Sequence, residues 1–356
     1  MELNVSEENS TLTAATGCHL RFDTLDFKVQ AALRSVIGLF SAVCCALVIF
    51  MIVLFKKYTF YTQRLILYLA IAAMIHGFSF CLTRVNYTSA RPIDDNYCKF
   101  GALLNQYTAA NEVLSVCFMT LNLVVKAVCN HSTMKAEPFI VVAIFLLPAT
   151  WCWVPYVLED GYGTSKGWCT IRTLNTDCTP YRYEAWLQFG LRYIPLYTLM
   201  LITIISIVLV GFRVNMRSMK WVGKWDTVDS AIRESLKREI LSIIWYPIIF
   251  ILFNVFSLIN QIYTSIHPDP DDLPAAYSVL IYLRVLTTPL RGAFIALAFA
   301  LDRETRKRLR VKQCRAACLE WVRRKETVKE LTLETSKFME SYNTTPYYEF
   351  TESTVV

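Results

Sequence analysis

Apolar residues occur in seven long runs along the chain, separated by shorter polar segments. A helix needs about 20 apolar residues to cross a bilayer, and each run reaches that length. The runs are too long for barrel strands, and only a helix satisfies its own backbone in lipid. The pattern therefore predicts an all-α membrane protein, a bundle of seven transmembrane helices named span one to span seven: 29–55, 65–85, 98–127, 138–158, 185–212, 239–264 and 276–301.

Span three carries a stripe of polar residues within its apolar sequence. Its members follow each other at steps of three or four, which places them on one face of the helix. A carboxylate in mid-membrane is costly unless it faces protein or water, so the stripe predicts a central helix lining a cavity. For any single member, packing against a neighbouring helix is the favoured interpretation. The stripe consists of Asn105, Thr108, Glu112, Ser115, Met119, Asn122 and Lys126.

Basic residues are unevenly distributed between the two sides of this predicted bundle. With the N-terminus outside, the inner segments hold 24 Lys and Arg residues and the outer segments hold 6. The positive-inside rule therefore predicts an outer N-terminus. The net charge of +7 then describes a basic cytoplasmic face, which attracts anionic lipid heads or an acidic partner and gives no reason to invoke nucleic acid.

The spans divide the chain into four parts. Residues 1–28 form a short extracellular N-terminus, and residues 29–301 form the transmembrane domain. Residues 302–325 are predicted to form an amphipathic juxtamembrane helix, because apolar and basic residues fall on opposite faces. Residues 326–356 are polar and predict a disordered cytoplasmic tail.

Cysteines and glycosylation sequences add detail to this topology. Cys314 and Cys318, on the apolar face of the juxtamembrane helix, are candidate palmitoylation sites. The four outer cysteines allow three pairings, and at least one bridge is expected in the oxidising outer space. These cysteines are Cys18, Cys98, Cys169 and Cys178. The outer acceptor sites Asn4, Asn9 and Asn86 are predicted to be glycosylated, whereas Asn130 and Asn343 lie inside and are predicted to be silent.

Several short motifs resemble those of a known family. Gly167-Trp168-Cys169 is similar to the second outer loop, and Tyr246-Pro247 to span six, of the cyclic-AMP-receptor-like and secretin-like G-protein-coupled receptors. The stretch from Gly292 to Phe299 resembles the glycine-led end of their span seven, although Arg291 replaces a common glutamine. The rhodopsin-like class fits poorly, because its acid-Arg-Tyr signature is absent from the end of span three.

This resemblance implies a receptor at the plasma membrane that signals to a heterotrimeric G protein and is not an enzyme. It also implies a Cys98–Cys169 bridge, which leaves Cys18 and Cys178 available for a second one. No cofactor is expected. A retinal Schiff base needs a lysine in span seven, and residues 275–301 contain none. Only one of the four histidines, His76, lies within a span, which argues against a metal-dependent hydrolase.

A transporter or channel for a small anionic solute is the alternative function. Charged residues within the spans are typical of a substrate path, but no inverted repeat is visible. The intramembrane charges are Arg34, Arg84, Glu112, Arg192, Arg284 and Arg291.

The same charges predict the ligand. Arg192 and Arg284 fall in the outer half of the membrane, and Glu112 cannot neutralise both. We therefore expect a pocket for an unknown small extracellular ligand that is anionic, lined also by Asn105 and Thr108.

Signal transfer is predicted to involve span six. Pro247 kinks this helix, and the kink either lets its inner half swing outward or is a static bend. A swing would admit a G-protein helix, with Lys126, Lys237 and Arg238 as predicted contacts.

The last residues form a candidate peptide motif. Thr354 and the terminal Val356 fit a PDZ-type groove, in which backbone amides hold the terminal carboxylate and a pocket takes the last side chain. A solvated end with no partner is an equally good interpretation. The tail is also the expected site for arrestin.

Overall fold

The protein folds as a bundle of helices with one small hairpin at one end. Within the described part of the chain, six helices are long and apolar enough to cross a membrane, and span six contributes a shorter apolar helix, Trp245–Asn260. Large apolar side chains such as Leu47, Leu201 and Leu252 remain exposed around the bundle, as expected for a multi-pass membrane protein. The computed structural model describes residues 24–82, 95–129, 133–158, 161–165, 168–171, 186–220, 243–266, 275–302, 305–306 and 319.

The observed spans follow the predicted apolar runs closely. Span seven agrees with its predicted bounds to within one residue, whereas span one begins five residues earlier than predicted. The six continuous helices are span one Thr24–Leu54, span two Tyr61–Leu82, span three Asp95–Val124, the helix of span five Ile194–Lys220, span six Trp245–Ile266 and span seven Ala275–Leu301.

Prolines explain why spans four and five are irregular. Span four consists of three helical pieces, Glu137–Leu146, Ala149–Cys152 and Val154–Val157, because Pro148 and Pro155 cannot donate a backbone hydrogen bond.

Span five starts with a π-helical segment, Trp186–Tyr193, directly before Pro195. Span three ends in a second one, Val125–Cys129, which contains Lys126. Such segments change the direction in which the following side chains point.

Spans one, two and seven are packed through glycines. A Cβ atom on Gly77 would lie 2.7 Å from the Gly38 carbonyl oxygen, so these two helices touch backbone to backbone. On span seven, a Cβ atom on Gly292 would lie 2.4 Å from Ser41 Oγ and 2.8 Å from Cys45 Sγ. The three spans are therefore closely packed at these glycines.

A β-hairpin covers the end of the bundle at which span three begins, and we call this end the hairpin end. Strands β1, Tyr162–Ser165, and β2, Trp168–Ile171, pair antiparallel, with Thr164 opposite Cys169. The sequence predicted only a loop in this region.

Polar contacts join the described segments at the opposite end. The Arg64 guanidinium on span two forms an ion pair with Glu137 at the start of span four, and Tyr68 donates to the same carboxylate at 2.9 Å. Lys57 Nζ donates to Thr305 Oγ1 at 2.6 Å, which links the turn after span one to the segment after span seven.

Many residues singled out in the sequence lie outside the described residues, together with the tail 326–356 and nearly all of 1–28 and 302–325. They are Asn4, Asn9, Cys18, Asn86, Cys178, Lys237, Arg238, Cys314, Cys318, Thr354 and Val356.

Candidate functional site

A buried polar cluster at the centre of the bundle joins four spans. Glu112 on span three accepts a contact from His76 Nδ1 on span two at 2.8 Å. The same carboxylate oxygen lies 2.9 Å from Arg291 Nη2 on span seven. Arg291 Nη1 donates to Asn254 Oδ1 on span six at 3.2 Å. The Glu112 cluster is the name we use below for these four residues.

The cluster balances the charge of its carboxylate within the membrane. Glu112 is 2% exposed and Arg291 is 4% exposed, so the two charges neutralise each other away from water. With its proton on Nδ1, His76 donates to Glu112 and completes the carboxylate's hydrogen bonding. A lone charge at this depth would be costly, and the pairing explains how Glu112 is tolerated.

Arg291 makes two further contacts. Its Nε donates to the Thr288 carbonyl at 3.1 Å, and its guanidinium lies over the Phe250 ring at 5.3 Å. Asn254 Nδ2 donates to the Phe250 carbonyl at 2.7 Å, which orients the amide so that its oxygen faces Arg291. Spans six and seven also meet at this level through the Phe253 and Phe294 rings, whose centroids are 4.6 Å apart.

The polar stripe of span three points into the bundle. Thr108, Glu112, Ser115, Met119 and Asn122 are all buried. Two of their hydroxyls bond within their own helix, Thr108 to the Leu104 carbonyl and Ser115 to the Asn111 carbonyl, each at 2.8 Å. At these two positions, hydrogen bonding within the helix accounts for the polar residue.

Asn105 bonds to span two. Its Nδ2 donates to Ser79 Oγ at 2.9 Å, and Ser79 donates to the His76 carbonyl at 2.7 Å. Asn105 is thus connected through Ser79 to His76 of the Glu112 cluster.

Arginines from three spans lie nearer the hairpin end than the Glu112 cluster does. Arg34 on span one lies over the Phe80 ring of span two at 4.4 Å, and the Phe80 ring is 4.6 Å from that of His76. Arg284 on span seven and Arg192 on span five both lie within electrostatic reach of Arg34. We call Arg34, Arg192 and Arg284 the arginine ring.

The hairpin is fixed to the spans around this ring. A Cys98–Cys169 disulfide attaches β2 to the start of span three, as the resemblance implies. Tyr162 of β1 donates to the Cys152 carbonyl of span four at 2.8 Å, and burial raises the pKa of its hydroxyl, so it stays protonated. Arg192 Nη1 donates to Thr170 Oγ1 of β2 at 3.1 Å.

The comparison with solved structures concerns the whole bundle. A crystal structure of squid rhodopsin matches 87% of this chain and 89% of its own, with 11% sequence identity and a TM-score of 0.57. The fold is similar to that of squid rhodopsin. No protein-family model and no curated protein sequence matches the chain. At this identity the likeness concerns the fold alone.

Sequence reasoning missed the partners of Glu112. His76 entered only as a poor metal ligand, Arg291 only as an intramembrane charge, and Asn254 not at all. One signal was available: Arg291 follows Arg284 by seven residues, which places both on one face of span seven. Among the described residues, no group of three His, Cys, Asp or Glu side chains could hold a metal ion.

Proposed function

We propose that this protein is a G-protein-coupled receptor of the plasma membrane, related to the cyclic-AMP-receptor-like and secretin-like group. Its hairpin end faces outward and binds a small anionic ligand, and its opposite end contacts a heterotrimeric G protein. The observation that carries this proposal is the Glu112 cluster, which joins spans two, three, six and seven at the centre of a rhodopsin-like fold.

The packing supports span six as the moving part. Spans one and two are packed backbone to backbone at Gly38 and Gly77, and span seven is packed against span one where Gly292 meets the Ser41 and Cys45 side chains. At the level of the cluster, span six joins them through Asn254 and Phe250. A ligand that binds one arrangement of span six better than the other shifts the balance between the two.

The charges of the hairpin end support the ligand class. Glu112 is occupied by His76 and Arg291 and contacts neither Arg192 nor Arg284. An anionic ligand would supply the negative charge that this region lacks among the described residues. Because Arg192 also bonds to Thr170, ligand binding there would be sensed by the hairpin.

The basic sequence at the opposite end supports G-protein binding. Lys126 lies in the π-helical end of span three, and Lys237 and Arg238 precede span six in the chain. The C-terminal tail supplies Thr354 and Val356 for a PDZ-type scaffold and the preceding residues for arrestin.

The proposal is tested by removing the hydrogen bond that joins span six to Arg291 of span seven. We expect Asn254→Leu to raise basal guanine-nucleotide exchange on a panel of G proteins, because it removes the hydrogen bond from Arg291 while keeping an apolar packing group. A hydrogen bond to a charged group is worth about 1.5 kcal/mol or more, which corresponds to about a tenfold shift between two states. Ser257→Ala, one turn away on the same helix, is the matched control.

The movement itself can be measured with spin labels at Val128 on span three and Ile244 beside span six. Labels introduced as non-canonical amino acids avoid the twelve native cysteines. The distance between them should lengthen in Asn254→Leu bound to G protein. If Asn254→Leu leaves guanine-nucleotide exchange unchanged in every G protein, and the protein carries anions into vesicles, it would instead be a transporter.

A further inference from the structure

Thr305, shortly after span seven, is the centre of a buried polar contact at the end of the bundle opposite the hairpin. Its side chain is 2% exposed, although the next residue, Arg306, is exposed. Its hydroxyl accepts a hydrogen bond from Lys57 Nζ at 2.6 Å and donates one to Asp302 Oδ2 at 3.0 Å. The hydroxyl therefore uses both its proton and a lone pair inside the protein.

Lys57 covers this hydroxyl from the turn after span one. Its side chain is buried, and its ammonium group lies 5.2 Å from the centre of the Phe299 ring on span seven. Lysines are almost never buried in this way unless their charge is compensated, so the contact with Thr305 is part of what keeps Lys57 in place. While Lys57 is docked, its Nζ occupies the oxygen of the Thr305 side chain.

Asp302 makes the same position unsuitable for a second negative group. Its Oδ2 also accepts the backbone N–H of Thr305 at 3.2 Å, so the turn itself holds the carboxylate beside the hydroxyl. A phosphate on Thr305 would add a phosphorus, three oxygens and about two negative charges to an enclosed side chain. Lys57 compensates one of these charges, whereas Asp302 repels both. A phosphorylated Thr305 therefore does not fit the docked arrangement.

The sequence around Thr305 has the charge pattern of a kinase substrate. Arg303 precedes Thr305 by two residues, and Arg306, Lys307 and Arg308 follow it directly. Kinases select their substrates partly by such charge patterns, and a basic sequence fits a kinase with an acidic substrate groove. In the proposed orientation this end of the bundle faces the cytoplasm, where ATP and kinases are present.

We propose that Thr305 is a phosphorylation site that the docked Lys57 conceals, and that its phosphate holds the segment after span seven in an undocked position. Segments at the end of a bundle open locally at a much lower free-energy cost than the whole fold does. In the open state, a serine/threonine kinase transfers the γ-phosphoryl group of ATP to Thr305 Oγ1. The hydroxyl proton passes to the catalytic base of the kinase, and ADP leaves. This goes beyond the proposed function and shares with it the orientation of the bundle.

The test uses the full-length protein in detergent, with ATP, Mg²⁺ and the catalytic domain of protein kinase C. Chymotrypsin releases the fragment 302–309, in which Thr305 is the single hydroxyl residue, so mass spectrometry measures its phosphate directly. Lys57→Gln should accept phosphate about tenfold faster than the wild type, the factor expected when a hydrogen bond from a charged donor is lost. Lys56→Gln is the matched control, because it removes the same charge from the preceding residue, and it should leave the rate unchanged.

Thermal unfolding measures the undocking. Phosphorylation at Thr305 should lower the melting temperature, Tm, of the wild type by about 2 °C or more. In Lys57→Gln the same modification should lower Tm by less, because the contact that it breaks is already absent. Thr305→Val treated with the kinase controls for phosphate at other positions and should show neither the modified fragment nor the fall in Tm on treatment.

Absence of phosphate at Thr305 in both the wild type and Lys57→Gln would overturn the site. Equal rates in the wild type, Lys57→Gln and Lys56→Gln would overturn its concealment. A Tm that rises on phosphorylation, and does not rise in Lys57→Gln, would show that the phosphate pairs with Lys57 and keeps the segment docked. Phosphate at Thr305 in a protein that stimulates no nucleotide exchange would leave this site standing and remove the receptor; exchange without phosphate at Thr305 would do the reverse.

Discussion

At the scale of single residues, the Glu112 cluster shows how the protein accommodates charge inside a membrane. A carboxylate and a guanidinium are each expensive there, and they become tolerable only together. Glu112 and Arg291 meet at 2.9 Å, and His76 and Asn254 complete their hydrogen bonding. Because each charge compensates the other, removing one of them should destabilise the protein more than removing both.

A double-mutant cycle tests this coupling. We expect Glu112→Gln to destabilise the protein strongly, because Arg291 is then buried without its counter-charge. The double variant Glu112→Gln/Arg291→Gln should recover much of the loss, since two amides can bond to each other without charge. The coupling energy from thermal unfolding should exceed about 1 kcal/mol. Additive effects of the two substitutions would show that the ion pair contributes little.

Sequence reasoning found one of the four residues of this cluster, Glu112, and the reason is geometric. The stripe placed Glu112 on an inward face because spacing along one helix is visible in the sequence. Its partners His76 and Arg291 come from other helices, and their rotation about their own axes decides which residues meet. The expectation that Glu112 cannot neutralise both Arg192 and Arg284 therefore did not identify its partner Arg291, which comes seven residues after Arg284 on span seven.

At the scale of elements, apolar length and proline positions predicted most of the helices. Span seven agreed to within one residue because its apolar run ends at Asp302. The division of span four follows from Pro148 and Pro155. The sequence shows these prolines, but it does not show how a helix packed among others accommodates them. The hairpin was missed because β1 and β2 have only four residues each and are stabilised by a disulfide and by Tyr162.

Glycine packing between spans one and two provides a prediction at this scale. We expect Gly77→Ala to lower the Tm, because the new methyl group would lie 2.7 Å from the Gly38 carbonyl oxygen and the two helices would have to separate. Gly211→Ala is the control on span five, where no atom lies within 4 Å of the added Cβ. There the higher helix propensity of alanine should stabilise by about 0.5–1 kcal/mol. Similar effects at the two positions would show that spans one and two have room to move apart.

At the scale of the whole molecule, orientation depends on charge rather than on packing. The bundle would be equally well packed in either direction, and the described contacts at its two ends do not favour one leaflet. The positive-inside rule distinguishes the directions because 24 of the 36 basic residues fall in segments on one side and 6 in segments on the other. This part of the prediction needs only the sequence and the number of spans, and both proposals depend on it because one places the arginine ring outside and the other places Thr305 inside.

Glycosylation in intact cells tests this orientation. With the hairpin end outside, Asn4, Asn9 and Asn86 reach the compartment in which glycans are attached, and Asn130 and Asn343 do not. Treatment with an endoglycosidase should therefore increase the electrophoretic mobility of the protein, and replacing the first three asparagines by Gln should abolish that shift. Asn130→Gln and Asn343→Gln are matched controls and should leave it unchanged.

Epitopes at the two termini give an independent result, because antibody should reach the N-terminal one on intact cells and the C-terminal one only after permeabilisation. Loss of the glycan shift in Asn130→Gln or Asn343→Gln, or a C-terminal epitope exposed on intact cells, would show that the bundle has the opposite orientation. The arginine ring would then face the cytoplasm, where it could not receive an extracellular ligand.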